Sequence, residues 1–217
     1  MHALKCASNL RTVSIQFQLF AQGDVPEGRG DSAPLGSSFR INDFQDYLYR
    51  IDEFWRPPEV LAATQDRDAE PTVCPAGPGP LHKLPGASCG PHAFRPIEHV
   101  TLAVNMRLSQ PVMPFNGGLV LAPTGTVRVR EDILNHPYVP LALDVDARDA
   151  SSRTVEPFYT APPQPGASDP YSRGRFWMPS VRHDARTNVA FVGGHVLSSA
   201  HPEEEPWDWG YQAQVGN

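Results

Sequence analysis

The sequence predicts an α+β fold in which an N-terminal amphipathic helix packs on an antiparallel sheet. Apolar residues with helical spacing occupy the first part of the chain, whereas short runs rich in Val, Leu and Thr lie between residues 100 and 200. These runs do not alternate with helices, which argues against a parallel sheet. Pro and Gly number 24 and 17 of 217 residues, so we also expect long irregular Pro/Gly-rich loops.

The length fits a single domain, 1–217, rather than two. We divide it into a helix (1–22), a segment with a second helix and loops (23–99), the sheet (100–200) and a tail (201–217). The net charge of −6 and pI of about 5.7 argue against a nucleic-acid partner. No run approaches the roughly 20 apolar residues that span a bilayer.

Apolar residues recur at steps of three and four between Leu4 and Gln22, namely at Leu10, Val13, Phe17 and Phe20. This spacing predicts a helix with one buried stripe facing the sheet, and Gly23 is a good C-terminal stop. A second periodic run extends from Ile41 to Trp55, with Asn42 or Asp43 as its cap, and its apolar stripe consists of Phe44, Leu48, Ile51 and Trp55. It predicts a shorter helix, which Pro57 ends.

The second half of the chain reads as strands. Four runs have this character: Val100–Met106, Leu119–Leu121, Thr126–Val129 and Val139–Val145. Two more, Asn188–Val192 and His195–Ser199, flank Gly193-Gly194 and predict a hairpin with a two-residue turn and at least one glycine at positive φ. Alternation would then direct Val189 and Phe191 toward the helix.

Four potential metal ligands crowd the Pro-rich loop between residues 70 and 96: Cys74, His82, Cys89 and His92. A zinc site is one interpretation, although only Cys89 and His92 have the close spacing of a structural site. A Cys74–Cys89 disulfide is the preferred alternative, because closing that loop would stabilise the fold by roughly 3 kcal/mol. Cys6–Cys74 is the rival pairing, since Cys6 lies on the helical stripe. A free buried thiol is the third possibility.

Other polar motifs carry weaker signals. Asp144 and Asp146 share one strand face and could contact a cation, but such carboxylates are more often solvated. His183 and Asp184 are adjacent and point apart, so they make a poor catalytic pair. No nucleophile, acid–base pair or metal site converges, and we therefore assign no catalytic, cofactor-binding or metal residue and expect no enzyme.

Two further segments have both a functional and a plain interpretation. Residues 28–32 match an integrin-recognition pentapeptide, but so short a motif is very weak evidence, and a solvated Gly-rich loop is the preferred interpretation. Trp207, Trp209 and Tyr211 could stack on sugar rings, but packing of the tail onto the sheet is the simpler use of large aromatics.

Several of these segments, in chain order, resemble type IV pilin-like proteins of the H-X9-DG class. Residues 5–23 are similar to the helix that follows the membrane-spanning segment of such proteins. Residues 182–199 resemble the motif that names the class, with His183, nine residues, Gly193-Gly194 and His195. Shorter matches are the Cys-Pro loop at 73–77, the strand with a central Asn at 102–108 and the strand ending in Asp at 139–146.

Position 193 is Gly where the class has Asp, and both residue types suit a turn. This departure favours a hairpin role for the position over metal chemistry, and Gly193→Asp is expected to leave the fold intact. His183 is expected to be a structural hydrogen-bonding residue that anchors the loop before the hairpin. The other departure is the absence of a hydrophobic precursor segment before residue 1, which we expect to have been removed.

The resemblance implies a non-enzymatic pseudopilin-like subunit of the cell envelope, periplasmic or extracellular. Its precursor would be anchored in the inner membrane through the missing segment, and its N-terminal helix would contact other pilin-like subunits in a secretion or surface filament. An envelope location is also compatible with a disulfide. The alternative is a secreted glycan- or surface-binding module that uses the Pro-rich loop and the C-terminal aromatics.

Overall fold

The computed structural model of the chain has a helix packed on an antiparallel sheet. It describes residues 2–23, 38–49, 74–76, 102–105, 108, 112–115, 118–121, 127–146, 178–180, 182–202, 204–209 and 211. The helices are α1 (His2–Gln22) and α2 (Ile41–Tyr49). The strands are β1 (Leu102–Val104), β2 (Val112–Phe115), β3 (Gly118–Leu121), β4 (Pro140–Asp146), β5 (Met178–Pro179), β6 (Thr187–Phe191) and β7 (Val196–Ser199). A 3₁₀ turn spans Glu131–Asn135.

The main sheet has the strand order β1-β4-β6-β7, and β5 pairs with the far end of β4; every pairing is antiparallel. Strands β2 and β3 form a separate two-stranded ladder. The predicted α+β class, with a helix on an antiparallel sheet, is confirmed. The structure describes residues 127–129 of the predicted run Thr126–Val129, and of these Val129 pairs, in an isolated bridge with Phe39. Strands β2 and β5 were not predicted.

Helix α1 buries the stripe that its sequence predicts. Leu10, Val13, Phe17 and Phe20 are fully buried. The two phenylalanines contact more than the sheet, because their rings meet those of Phe39 and Phe44 edge-on at centroid distances of 5.1 to 5.9 Å. Helix α2 therefore contributes to the same core, and its buried Phe44 belongs to the predicted second stripe. Ile51 and Trp55 lie outside the described residues.

Two polar residues of α1 join it to the β6–β7 hairpin. The hydroxyl of Ser14 donates to the carbonyl of Phe191, and Gln18 Nε2 donates to the carbonyl of Val192 over 2.8 Å. Ser14 is fully buried although its residue type is polar, and this hydrogen bond satisfies it. Among the described helices, none has the length and apolar content that a membrane span requires.

The hairpin joining β6 and β7 differs in detail from the predicted two-residue turn. The Gly194 N–H donates to the Phe191 carbonyl over 3.0 Å, and the Phe191 N–H donates to the His195 carbonyl. The connection therefore has three residues, beginning with Val192. Gly194 has a φ of +88°, so the prediction of a glycine at positive φ is confirmed, while Gly193 is not in that region.

The expected tolerance of Gly193→Asp is wrong for a steric reason. A Cβ added at Gly193 would lie 2.7 Å from Pro137 Cβ and 2.9 Å from the Pro137 carbonyl oxygen. Position 193 therefore needs glycine for the close approach of two backbones rather than for its φ. The Gly193 N–H donates to that same Pro137 carbonyl over 3.1 Å.

The faces of β6 are also opposite to the prediction. The Phe191 ring stacks on His195 at 4.6 Å and meets the Trp207 ring edge-on at 4.9 Å, on the side where the tail packs. The row that faces α1 contains Asn188, which lies beside Asp144 near the first turns of α1. The prediction failed because both faces of β6 are buried, so a polarity pattern cannot distinguish them.

The tail after β7 packs on the sheet, as the simpler interpretation of its aromatics predicts. Trp209 is buried, and its Nε1 donates to the Pro202 carbonyl over 2.7 Å. Trp207 and Tyr211 are partly buried against the same core, with the Tyr211 ring 4.8 Å from that of His136. The indole of Trp209 is therefore a core group rather than a free surface for stacking.

Candidate functional site

A disulfide joins the first turns of α1 to the Pro-rich loop. Cys6 and Cys74 are bonded, with their Cα atoms 4.8 Å apart. Both cysteines are buried. Because Cys6 lies on the stripe that also carries Leu10 and Val13, the helix presents its sulfur to the interior. The bond closes a sequence separation of 68 residues, which the loop-entropy model values at about 4 kcal/mol.

His183 lies against this disulfide, at the start of the loop that leads into β6. Its Nε2 is 3.4 Å from Cys74 Sγ. The backbone around it forms a tight turn, in which the N–H groups of His183 and Arg186 each donate to the other's carbonyl. Two residues inside that turn, Asp184 and Ala185, have positive φ values of 53° and 57°. The turn thus holds the imidazole over the sheet at the cost of left-handed backbone at non-glycine positions.

The third member of the cluster is Asp144, near the end of β4. Its Oδ2 is 3.5 Å from His183 Nε2, and its Oδ1 is 3.8 Å from a guanidinium nitrogen of Arg182. The carboxyl group is completely buried. Burial raises its pKa to about 6, although Arg182 and Asn188 act in the opposite direction.

The hydrogen bonding of Asp144 is incomplete. Asn188 lies close enough to lower the pKa of the carboxyl group, yet neither oxygen has a hydrogen bond of standard geometry. A buried carboxylate without such a partner is costly to the folded state.

The pKa of His183 is shifted in the opposite direction from that of Asp144. Burial lowers the pKa of His183 and the nearby Arg182 lowers it further, whereas Asp184 has the opposite effect. The imidazole is therefore neutral near pH 7, and its Nε2 can offer a lone pair to an acid or an electrophile. Arg182 is also held in place by β4, because its Nη2 donates to the Val145 carbonyl over 3.1 Å.

The structure corrects one part of the sequence-based cysteine assignment. The preferred Cys74–Cys89 pairing is wrong, because Cys74 is bonded to Cys6, the rival choice. Loop-closure entropy could not separate the two pairings, since it says nothing about where the loop runs. The proposed zinc set loses Cys74 in this oxidised form, and its other members, His82, Cys89 and His92, lie outside the described residues.

The remaining predicted site residues have mixed outcomes. Asp144 is buried rather than solvated, while Asp146 pairs with Met178 in the backbone ladder and its side chain lies outside the description. The imidazole of His183 does contact buried groups: its Nε2 lies close to Cys74 Sγ and to Asp144 Oδ2. Residues 28–32 also lie outside the described part of the chain.

Arg182 and Asn188 were missed as members of the cluster, and one sequence signal could have placed Asp144 there. The run from Val139 to Val145 is apolar at every position except Asp144. Such a continuous run is typical of a strand that is buried on both faces, where any polar residue must also be buried. Arg182 could then have been considered as a counter-ion for that carboxylate.

The outward side of α1 carries a second feature, a row of exposed apolar side chains. Leu4, Ile15 and Leu19 expose 80%, 46% and 41% of their surfaces. Their spacing places them on one face of the helix, opposite the buried stripe. We call these three residues the outer stripe. It gives α1 an apolar contribution on both sides, with polar residues between its members.

Comparisons with known proteins returned no relative for this chain: no family model, no curated protein and no solved structure matches it.

Proposed function

We propose that this chain is a non-enzymatic, pilin-like subunit of the cell envelope that assembles into a secretion or surface filament. The observation that carries the proposal is the two-sided character of α1. Its inner stripe is buried against the sheet and α2, while the outer stripe of Leu4, Ile15 and Leu19 is exposed. A helix that serves only its own domain would normally present polar residues on that side.

The proposal assigns different tasks to the two sides of α1. The inner side attaches the helix to the domain through burial, through Ser14 and Gln18, and through the Cys6–Cys74 disulfide. The outer side would contact the helices of neighbouring subunits, with the precursor anchored in the inner membrane by a preceding segment. A disulfide suits such a location, because it requires an oxidising compartment.

The motif residues of the H-X9-DG resemblance have architectural positions that agree with a non-enzymatic role. His183 lies against the disulfide, and Gly193 lies against Pro137 in the hairpin beside α1. Both act on the position of α1 and the strands, which is what a subunit that presents its helix to a partner requires.

Charge substitution on the outer stripe tests this function. Ile15→Asp and Leu19→Asp in the full-length protein should abolish filament assembly in the producing cells, because a carboxylate cannot be buried between helices without a partner. Leu197→Asp is the matched control, because Leu197 is 40% exposed but lies on β7. It should assemble normally, and all three variants should keep the thermal stability of the parent domain.

Two results would contradict the proposal. One is normal assembly by both helix variants, and the other is an equal loss of assembly in Leu197→Asp. Release of the protein as a monomer that binds glycans would instead support the alternative of a secreted glycan- or surface-binding module.

A further inference from the structure

We propose that the thiol form of the Cys6, Cys74, His183 and Asp144 cluster is a zinc site with two sulfur, one nitrogen and one oxygen ligand. The disulfide and the metal would be mutually exclusive states of the same cluster. This inference is independent of the proposed filament function. It rests on four side chains that converge in the interior from α1, the Pro-rich loop, β4 and the turn before β6.

Two of the distances in the cluster match those between neighbouring ligands of a tetrahedral zinc ion. With bonds of about 2.3 Å to sulfur and about 2.0 to 2.2 Å to nitrogen and oxygen, neighbouring ligand atoms lie about 3.3 to 3.8 Å apart. Cys74 Sγ is 3.4 Å from His183 Nε2, which is 3.5 Å from Asp144 Oδ2. The Cys6, Cys74 and His183 ligand atoms all lie within 4.8 Å of one another.

The contact between the two sulfurs must change before a metal ion can bind. In the oxidised protein they are bonded to each other, whereas two zinc-bound thiolates are separated by about 3.8 Å. Cleavage of that bond frees both side chains to rotate apart by about 2 Å, a movement that needs no shift of β4. The remaining ligands are held by the sheet and by the tight turn around His183.

The incompletely satisfied Asp144 carboxylate is the second observation that points to a ligand. It is fully buried, lacks a hydrogen bond of standard geometry and lies on the same side as the histidine nitrogen. A bound cation would supply the missing partner. The charges also balance, because two thiolates and one carboxylate carry −3, zinc carries +2, and the adjacent Arg182 supplies +1.

The chemical steps are simple to balance. Reduction of the disulfide takes up two electrons and two protons and gives two thiols. A phosphine reductant supplies the electrons in vitro and becomes the phosphine oxide, with its oxygen taken from water. Zinc then binds as both thiols lose their protons.

Zinc and cobalt binding by the reduced whole chain tests the site. After anaerobic reduction with a phosphine, one zinc ion per chain should withstand gel filtration. Cobalt should give thiolate-to-metal charge-transfer and tetrahedral d–d absorption bands. The double variant Cys6→Ser/Cys74→Ser should lose both signals, and His183→Ala should weaken zinc binding by more than about 100-fold in competition with a chelator. Asp144→Asn should weaken it by at least about tenfold.

Two matched variants guard against binding elsewhere. Cys89→Ser removes the third thiol, and His136→Ala removes an exposed histidine near the opposite end of β4. Both should keep stoichiometric zinc. Loss of zinc in Cys89→Ser, or its retention in His183→Ala, would overturn the assignment.

The metal-binding test gives a result even if reduction unfolds the protein. If reduction unfolds the chain, zinc should restore the far-ultraviolet circular dichroism of the parent protein, and it should fail to do so in His183→Ala. Absence of metal binding by the reduced protein, whether folded or unfolded, would refute the site.

Discussion

The two ends of helix α1 are attached to the domain by different physical means. The N-terminal end is fixed by a covalent bond and by polar groups, with Cys6 joined to Cys74 and His183 and Asp144 packed behind them. The C-terminal end is fixed by apolar burial, where Phe17 and Phe20 contact the rings of Phe39 and Phe44. Ser14 and Gln18 connect the two regions through the hairpin.

Because of this difference, the two ends of α1 respond differently to a change in conditions. Aromatic packing is insensitive to redox state and declines only with temperature or denaturant. The disulfide end responds to reductant and contains a buried carboxyl group whose pKa is about 6. We therefore expect mutations at the aromatic end to destabilise the fold under all conditions, and changes at the disulfide end to depend on the redox state.

The largest effect is expected at the aromatic end. Phe17→Ala should lower the free energy of unfolding by roughly 3 to 5 kcal/mol, because it removes a fully buried ring and leaves a cavity. Ile15→Ala on the exposed side of the same helix is the control and should change stability by less than about 0.5 kcal/mol. Chemical denaturation measures the free energy of unfolding of both variants. An unchanged midpoint for Phe17→Ala would contradict the burial of this face of α1.

The next effect is expected at the disulfide end. The double variant Cys6→Ala/Cys74→Ala should lose about 4 kcal/mol in oxidising buffer, the value of closing a 68-residue separation. Adding reductant should lower the stability of the parent protein to a similar level while leaving the variant unchanged. If the denaturation midpoint of the parent protein does not change when reductant is added, the claim that a disulfide fixes the N-terminal end of α1 is contradicted.

The hairpin beside the aromatic end provides a smaller test. Gly193→Ala should cost about 1 to 3 kcal/mol, because the new methyl group would overlap Pro137. Gly194→Asn is the comparison variant: asparagine is one of the residue types found most often at positive φ, and its Cβ would lie 3.3 Å from Gln18 Nε2, a less severe approach than the 2.7 Å at Gly193. Thermal unfolding should rank Gly193→Ala as the less stable variant, and the reverse order would show that φ rather than close approach limits this turn.

The smallest effect is a gain in stability at the disulfide end. Ala185→Gly should raise the free energy of unfolding by about 1 kcal/mol, because alanine at a φ of 57° is strained and glycine is not. Ala7→Gly, within α1, should have the opposite sign and a similar size. If both substitutions destabilise the protein, the turn that holds His183 has been described incorrectly.

The sequence was most informative where a periodic pattern coincided with burial on a single face. The stripe from Leu10 to Phe20 predicted which side of α1 is inside, and Gly193-Gly194 predicted the hairpin. The pattern was uninformative for β6, since all five of its residues are buried and either face could contact the helix. That is why the orientation of Phe191 was wrong.

The candidate site depended on information that no local pattern carries. Cys74 reaches Cys6 only because the chain after α2 returns to the first turns of α1. Loop entropy depends on separation and ignores that path. Arg182 and His183 follow Asp144 by about 40 positions in the sequence, and they meet it because β4 pairs with β6.

The Cys6–Cys74 bond is the central claim, because it defines the disulfide end of α1 and the proposed zinc site. Trypsin separates the three cysteines into peptides 6–11, 68–83 and 84–107, since Arg95 precedes proline and resists cleavage. Mass spectrometry of a non-reducing digest, from protein made in an oxidising compartment, should show peptide 6–11 linked to peptide 68–83, with peptide 84–107 released unlinked. A digest in which 68–83 is linked to 84–107, or in which all three carry free thiols, would contradict the account.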